Sequence, residues 1–216
     1  YDRKFGNQTI NSFVGYEESA TNGEILQAYR SGFISTSLDQ LFAGGAANQV
    51  GIGNAIQDGR RSYLGRLGYN YSNKYLAEIT MRYNGSFNFA PNKRWGLFPA
   101  ASVGWRISEE NFFRNNVKFI NSLKLRASWG LMGSDAVTPY QYIQTYAIVP
   151  SNYYDNFLYT GTNYQQNFQI GRGPTPNPNI TWEKQDSKNI GLDLSLLSSR
   201  LTATIDFFKY IRRDIL

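Results

Sequence analysis

The chain has 216 residues and a formal net charge of +6, and it contains neither cysteine nor histidine. These absences exclude disulfide scaffolds, thiolate zinc sites, cysteine nucleophiles and histidine general bases, and with them much of enzyme chemistry. Aromatic residues make up 16% of the chain, and there are 20 glycines. This composition is typical of strands and turns that carry many amphipathic rings.

Alternation of apolar and polar residues predicts about seven strands, most of them ten residues or longer. The first, a weak one, covers about residues 8–18. The clearest runs over 60–72 and continues, after a tight turn at Asn73-Lys74, into a second strand from Tyr75. Further strands are expected over 96–108, 122–133, 182–196 and from Leu201 onward.

Each predicted strand has one apolar face and one polar face. The apolar face points to the core of a soluble sandwich but to lipid in a membrane barrel, where polar side chains line the lumen. Strand lengths near the ~9–11 residues of a tilted membrane span and aromatic residues at the ends of the apolar faces favour the barrel. On that hypothesis the candidate lumen-facing charged residues are Arg66, Glu78, Arg82, Arg106, Lys124, Arg126 and Glu183.

The connections between the strands form a short set and a long set. The short set lies at 73–74, 109–121 and 198–199; the long set lies at about 19–59, 88–95 and 134–181. Outer-membrane barrels have short turns on one side and long loops outside. Seven strands cannot close a single-chain bacterial barrel, which has an even strand number, and an open edge would leave unpaired backbone groups in lipid. We therefore expect residues 1–216 to be part of a larger barrel wall.

Several sequence blocks, in the same order along the chain, resemble the barrel of SusC/RagA-type TonB-dependent transporters. The blocks are 63–71 (YLGRLGYNY) with 74–76, 82–87, 94–99, 104–110, 123–130, 177–183, 189–193 and 214–216. The resemblance implies a segment of a ~22-stranded barrel with a plugged lumen. It also implies TonB-driven import of glycan or peptide fragments across the outer membrane, together with a SusD-like surface lipoprotein. Neither a plug domain nor a TonB box is found in these residues.

The second long loop, 134–181, is rich in tyrosine. Tyrosine rings stack on sugars and their hydroxyls form hydrogen bonds, but the same rings also pack a long loop onto itself or onto a partner. The candidate loop contacts to substrate or lid are Tyr140, Tyr142, Tyr146, Tyr153, Tyr154, Tyr159 and Tyr164.

Basic residues at the long-loop end are candidates for contact with phosphates of outer-membrane lipid or lipopolysaccharide, although solvated loops have the same composition. These residues are Arg60, Arg61, Lys93, Arg94, Arg212 and Arg213.

Two other classes of protein are alternatives to a membrane barrel. A soluble carbohydrate-binding β-sandwich is the alternative with the same tyrosine and tryptophan content. A glycan-degrading enzyme is disfavoured, because Glu183 and Asp193 lie ten residues apart on one strand, about 33 Å, whereas paired-carboxylate catalysis needs ~5–9.5 Å. We therefore predict a non-enzymatic protein with no metal, no cofactor and no nucleic-acid partner.

Overall fold

The computed structural model describes residues 1–47, 49–150, 158–160 and 168–215. The strands are β1 (Asp2–Phe5), β2 (Gln8–Tyr29), β3 (Val50–Tyr71), β4 (Tyr75–Ser86), β5 (Trp95–Arg106), β6 (Ile120–Ser134), β7 (Tyr146–Pro150), β8 (Leu158–Thr160), β9 (Phe168–Arg172), β10 (Glu183–Leu196) and β11 (Leu201–Arg213). The other elements of the described residues are one short helix, α1 (Asn111–Asn116), and two 3-10 turns, Leu41–Ala43 and Ile107–Glu109. Among the described residues, no helix is long and apolar enough to cross a membrane.

Eight of the strands form one sheet in the order β1-β2-β3-β4-β5-β6-β10-β11. Strands that follow one another in the chain are neighbours, except that the connection from β6 to β10 carries a second, three-stranded sheet, β7-β9-β8. This is the all-β barrel segment expected from the alternation. The expected count of about seven strands was too low, because the four residues of β1, which pair with Gln8–Asn11, are too few to show a period.

The loop predicted over 19–59 is mostly strand, so that prediction was wrong. β2 and β3 each have 22 residues and continue over 19–29 and 50–59, which leaves 30–49 as the connection. Nearly every residue of this extension is exposed on both faces, and therefore no apolar face imposes alternation. Residues Glu18–Arg60 form a compact unit of their own. Within it, the Arg30 guanidinium donates hydrogen bonds to the Gly44 carbonyl and to Gln49.

The buried core is small and includes residues from the long connections. It consists of Phe89, Phe98, Ile180 and Trp182. The Trp182 ring lies 5.3 Å from Phe89 and 5.2 Å from Phe98, centroid to centroid, and its indole N–H donates to the Arg94 carbonyl at 3.0 Å. This cluster ties the β4–β5 loop to the end of the β6–β10 loop. The described parts of these two loops therefore pack against each other around this cluster.

The apolar face of the large sheet is left exposed. Ile190 is 57% exposed and Phe207 is 73% exposed, although both lie in the middle of long strands. Among the described residues, the only other sheet has three short strands within the β6–β10 connection. A soluble β-sandwich requires two sheets whose inner faces bury each other. The sandwich alternative is therefore wrong.

Candidate functional site

Strand register places the predicted lumen-facing residues on one side of the sheet, which we call the polar face. Residues that are directly opposite each other on paired antiparallel strands share a face. One row across the sheet contains Glu78, Ser102, Ser128 and Asn189; the next contains Leu76, Gly104, Arg126, Gly191 and Asp206; a third contains Arg106, Lys124, Asp193 and Thr204. Arg66, Arg82 and Glu183 join this face through the contacts described below.

Arg126 is the centre of the largest charge cluster on the polar face. Its Nη2 donates to Asp206 at 2.8 Å and its Nε donates to Asp193 at 3.2 Å. Asn189 also donates to Asp206, at 3.0 Å. Gly191 lies between Arg126 and Asp206 in the row, and a Cβ there would come within 2.5 Å of the Arg126 Cζ. The missing side chain therefore lets the guanidinium of β6 cross β10 and reach a carboxylate on β11.

Further ion pairs join other strands of the polar face. Arg66 donates to Glu78 at 2.9 Å, and Arg82 donates to Glu17, two strands away, at 3.2 Å. Arg212 donates to Gln185 at 3.0 Å and lies 3.9 Å from a Glu183 oxygen. Since most of the charges are matched in this way, the face is rich in hydrogen-bonding groups but has little net charge.

Arg106 and Lys124 are the exception to this matching. They are directly opposite each other, and neither forms a salt bridge with any described residue. A shallow depression of about 460 Å³ lies beside them, and its lining includes Asn70, Glu78, Ser102, Lys124, Ser128 and Asn189. These amide, hydroxyl and charged groups can bind a polar ligand by hydrogen bonds. No group of His, Cys, Asp or Glu suited to a metal is found among the described residues.

The opposite side, the apolar face, carries two rows of aromatic rings. Tyr16, Tyr63, Trp95 and Tyr83 form one row, with successive centroids 5.2, 6.1 and 4.8 Å apart. Tyr71 and Tyr75 belong to the other, with centroids 6.3 Å apart. Tyr75 and Tyr83 are eight residues apart on β4, about 27 Å along the strand and ~20 Å across a bilayer at the usual tilt of barrel strands. Aromatic girdles flank an apolar band of similar height, ~25 Å, in outer-membrane barrels.

The structure separates the predicted tyrosine contacts into three groups. Tyr140 packs edge-on against Phe87, and Tyr142 packs against the buried core, so both serve loop packing. Tyr146 is 64% exposed. Tyr159 belongs to β8, of which only the backbone is described, and Tyr153, Tyr154 and Tyr164 lie outside the described residues. Substrate or lid contact by this loop stays a prediction.

Most of the basic residues proposed to meet lipid phosphates also contact protein groups, and their contact with lipid stays a prediction. Lys93 donates to Asn179, Arg94 donates to the Phe89 carbonyl, and Arg60 lies 3.9 Å from Asp58. Arg212 belongs to the polar face, as described above. The sequence places these residues at the long-connection end of the strands, but it does not predict their hydrogen-bond and ion-pair partners.

Sequence reasoning missed a cluster at the short-turn end. Glu110, just before α1, accepts hydrogen bonds from the Tyr75 hydroxyl at 2.6 Å, the Trp105 indole at 3.1 Å and the Lys74 ammonium at 3.1 Å. These bonds, with that from Tyr75 the largest cause and those from Trp105 and Lys74 next, lower the pKa of Glu110 below its ordinary value. The carboxylate thereby fastens the β5–β6 connection to the start of β4.

The lowered pKa of Glu110 predicts a pH-dependent stability. A carboxyl group whose pKa is lower in the folded state stabilises fully above its unfolded pKa, here about 4.5, and loses that contribution as pH falls through the folded pKa. Glu110→Gln in the full-length protein should therefore lower the thermal unfolding temperature at pH 7, and the difference from wild type should shrink below pH 4.5. Glu109→Gln is the control, since among the described residues the Glu109 carboxylate has a single ion-pair partner, Arg114, at 3.7 Å. A difference that is constant between pH 7 and pH 3 would contradict this account.

No protein-family model matches the chain. The chain is 37% identical over 156 residues to the TonB-dependent receptor SusC of Bacteroides thetaiotaomicron, an alignment that covers 72% of this chain and 15% of the relative. It is also 37% identical over 155 residues to the TonB-dependent receptor P39 of Formosa agariphila, covering 72% of this chain and 14% of that relative. The aligned residues thus span about one seventh of the length of these two curated relatives.

Solved structures show the same fold. The structure of the RagAB peptide transporter matches all of this chain with a TM-score of 0.85 at 22% identity, over 23% of its own chain. The RagAB peptide importer in the "open-open" state matches 96% of the chain with a TM-score of 0.78. The chain belongs to the SusC/RagA-type TonB-dependent receptors. These relatives are receptors and transporters and not enzymes, in agreement with the prediction of a non-enzymatic protein.

Proposed function

We propose that this segment of a TonB-dependent receptor is part of the wall of an outer-membrane importer, with its polar face toward the lumen and its apolar face toward lipid. The observation that carries the proposal is the contrast between the two faces. One is exposed, apolar and bounded by two aromatic rows; the other is covered by cross-strand ion pairs. TonB-dependent receptors are outer-membrane proteins. In such a wall lipid covers the apolar side chains and water solvates the charges.

Glycan fragments are the substrate class that we propose first. The charges of the polar face are largely paired, as in the Arg66–Glu78 and Arg126–Asp206 contacts, so the wall has little net field with which to select a charged ligand. Its hydroxyl and amide groups suit a neutral, polar oligomer. Peptides are the second candidate, since the solved structures of this fold include a peptide transporter.

We also propose that the long-loop end is extracellular and contacts a SusD-like surface lipoprotein. In support, the core of Phe89, Phe98, Ile180 and Trp182 gives the loops at that end a defined surface, which a partner needs. The energy for import would come from the TonB complex through a plug domain that is not among these 216 residues.

Single-cysteine labelling tests the orientation, and these 216 residues contain no cysteine that would interfere. Asn92→Cys changes an exposed position of the β4–β5 loop, and Asn115→Cys changes an exposed position of α1 at the other end of the strands. Any cysteine elsewhere in the full-length receptor is first replaced. In intact cells a membrane-impermeant maleimide should label Cys at position 92 and reach position 115 only after lysis. Labelling of position 115 alone in intact cells would show that the membrane orientation is the opposite of the one proposed.

Growth tests the import activity. Cells that lack the receptor gene, the same cells with the gene restored, and cells without TonB are grown on single oligosaccharides and on peptides as sole carbon source. Loss of growth on one class of oligosaccharide in both mutants, with recovery on complementation, is the expected result. Loss on peptides alone would favour the second candidate, and unchanged growth on every compound would overturn the import proposal.

A further inference from the structure

The apolar face changes character where β10 and β11 approach the long-loop end. Lys188 and Lys209 are directly opposite each other, as are Lys184 and Arg213. All four alternate in phase with Ile190 and Phe207, and therefore lie on the apolar face. We call these four residues the basic patch. The alternation of β10 and β11 predicts apolar, lipid-facing side chains at these four positions, but all four are basic.

The basic patch begins at the height of the row of Tyr16, Tyr63, Trp95 and Tyr83, which we call the outer aromatic row. Lys188 is eight residues from Leu196, where β10 ends at its short turn, and Lys209 is eight residues from Leu201, where β11 begins. Tyr83, in the outer aromatic row, is likewise eight residues from the short-turn end of β4. Positions equally far from the short turns lie at similar heights in a barrel. The lysines thus lie at the level where lipid headgroups meet the acyl chains.

The basic patch has more cations than the protein neutralises. Like charges directly opposite each other on paired strands are destabilising, and this arrangement occurs twice. Asp186 lies 4.0 Å from Lys188, but its carboxylate accepts the Trp129 indole N–H at 3.0 Å; Asp214 lies 3.5 Å from Lys184. Lys209 forms no salt bridge with any described residue. Two carboxylates therefore face four cations, and the remaining positive charge can bind an external anion.

An apolar groove of about 540 Å³ runs along the same face next to Lys188 and Lys209. Its lining includes Val103, Ala127, Trp129, Ile190 and Phe207. The lining thus combines small residues of β5 and β6 with larger aromatic rings. Cations at one end of an apolar groove match an amphiphile that has an anionic head and a hydrocarbon tail.

We propose that the basic patch and this groove bind one phosphorylated glycolipid of the outer leaflet, with its phosphates on Lys188 and Lys209 and an acyl chain in the groove. Lysine and arginine are the side chains that bind phosphate in proteins, and their stems cover apolar surface while the charged ends reach the headgroup region. This inference rests on the proposed function for one point, that the long-loop end faces the outer leaflet.

Binding of purified bisphosphorylated lipid A to the full-length receptor in detergent tests the proposal, measured by native mass spectrometry. The variant is Lys188→Gln/Lys209→Gln. The control is Lys4→Gln/Lys118→Gln, which removes the same charge from exposed positions away from the basic patch. A lysine near an anionic membrane surface contributes about a fivefold change in binding, so we expect about 25-fold weaker binding for the double variant and no change for the control.

Two further arms define the ligand. Lipid A without phosphates should bind the wild-type receptor as weakly as the bisphosphorylated form binds the double variant. Inorganic phosphate should not compete, because it has no acyl chain for the groove. Equal binding of bisphosphorylated lipid A by wild type and double variant would overturn the site, and full competition by inorganic phosphate would overturn its assignment to a lipid. Because binding in detergent requires neither import nor orientation, failure here is distinct from failure of the labelling and growth experiments.

Discussion

Replacing Leu125 with arginine is expected to lower the free energy of unfolding of the full-length receptor by about 2–4 kcal/mol, the cost of a basic side chain near the bilayer midplane. Leu125 lies on the apolar face of β6, where it is 40% exposed in the structure and has Leu192 directly opposite on β10. It lies between the start of the strand and Trp129 on the same face. Denaturant unfolding of the receptor in lipid vesicles measures the change.

Ser128→Arg is the matched control for Leu125→Arg. Ser128 belongs to the same strand three residues later, but it lies on the polar face, in one row with Ser102 and Asn189. An arginine there remains in water, and a change below about 0.5 kcal/mol is expected, as for an ordinary surface substitution. Similar losses at positions 125 and 128 would contradict the assignment of the two faces.

Trp182→Ala is the second large effect. Trp182 is only 4% exposed, contacts the rings of Phe89 and Phe98, and donates a hydrogen bond to the Arg94 carbonyl. Truncation of a buried tryptophan to alanine costs about 3–5 kcal/mol. Because the cluster lies at the long-connection end, the loss should loosen the loops while the strands stay paired. Limited proteolysis should cut the variant within 87–94 or 135–181 at protease concentrations that leave the wild type intact.

Tyr146→Ala is the control for Trp182→Ala, since Tyr146 lies in the same connection but is mostly exposed. It should leave the proteolysis pattern unchanged. Failure of Trp182→Ala to assemble in the outer membrane would show that the cluster supports the strands as well as the loops. Wild-type resistance of Trp182→Ala would contradict the role of the cluster in ordering the loops.

Alternation along the chain predicted most strands of the large sheet because each of their faces has a different environment. It failed where that contrast is absent. Residues 19–29 and 50–59 are exposed on both faces and carry no period, so they were assigned to a loop. The buried cluster could not be predicted at all, because Phe89, Phe98 and Trp182 meet only after loops of unrelated length have closed.

The candidate site divides in the same way. Strand parity placed Arg66, Arg82 and Arg126 on the polar face, but their partners depend on register between strands. Arg126 reaches Asp206, 80 residues away, across a glycine. The three bonds to Glu110 likewise come from side chains up to 36 residues away. The lysines at 188 and 209 interrupt the apolar alternation of their strands, and only the pairing of β10 with β11 shows that they are opposite each other.

The central claim is that the apolar face meets lipid and the polar face meets water, and spin labels along β4 test it most directly. Single labels at Leu76, Ala77, Glu78, Ile79, Thr80 and Met81 are placed in the full-length receptor in lipid vesicles, and their collision rates with oxygen and with a water-soluble nickel chelate are measured. We expect a period of two, with oxygen favoured at 77, 79 and 81 and the nickel chelate at 76, 78 and 80. The opposite phase, or equal access at all six positions, would contradict the account.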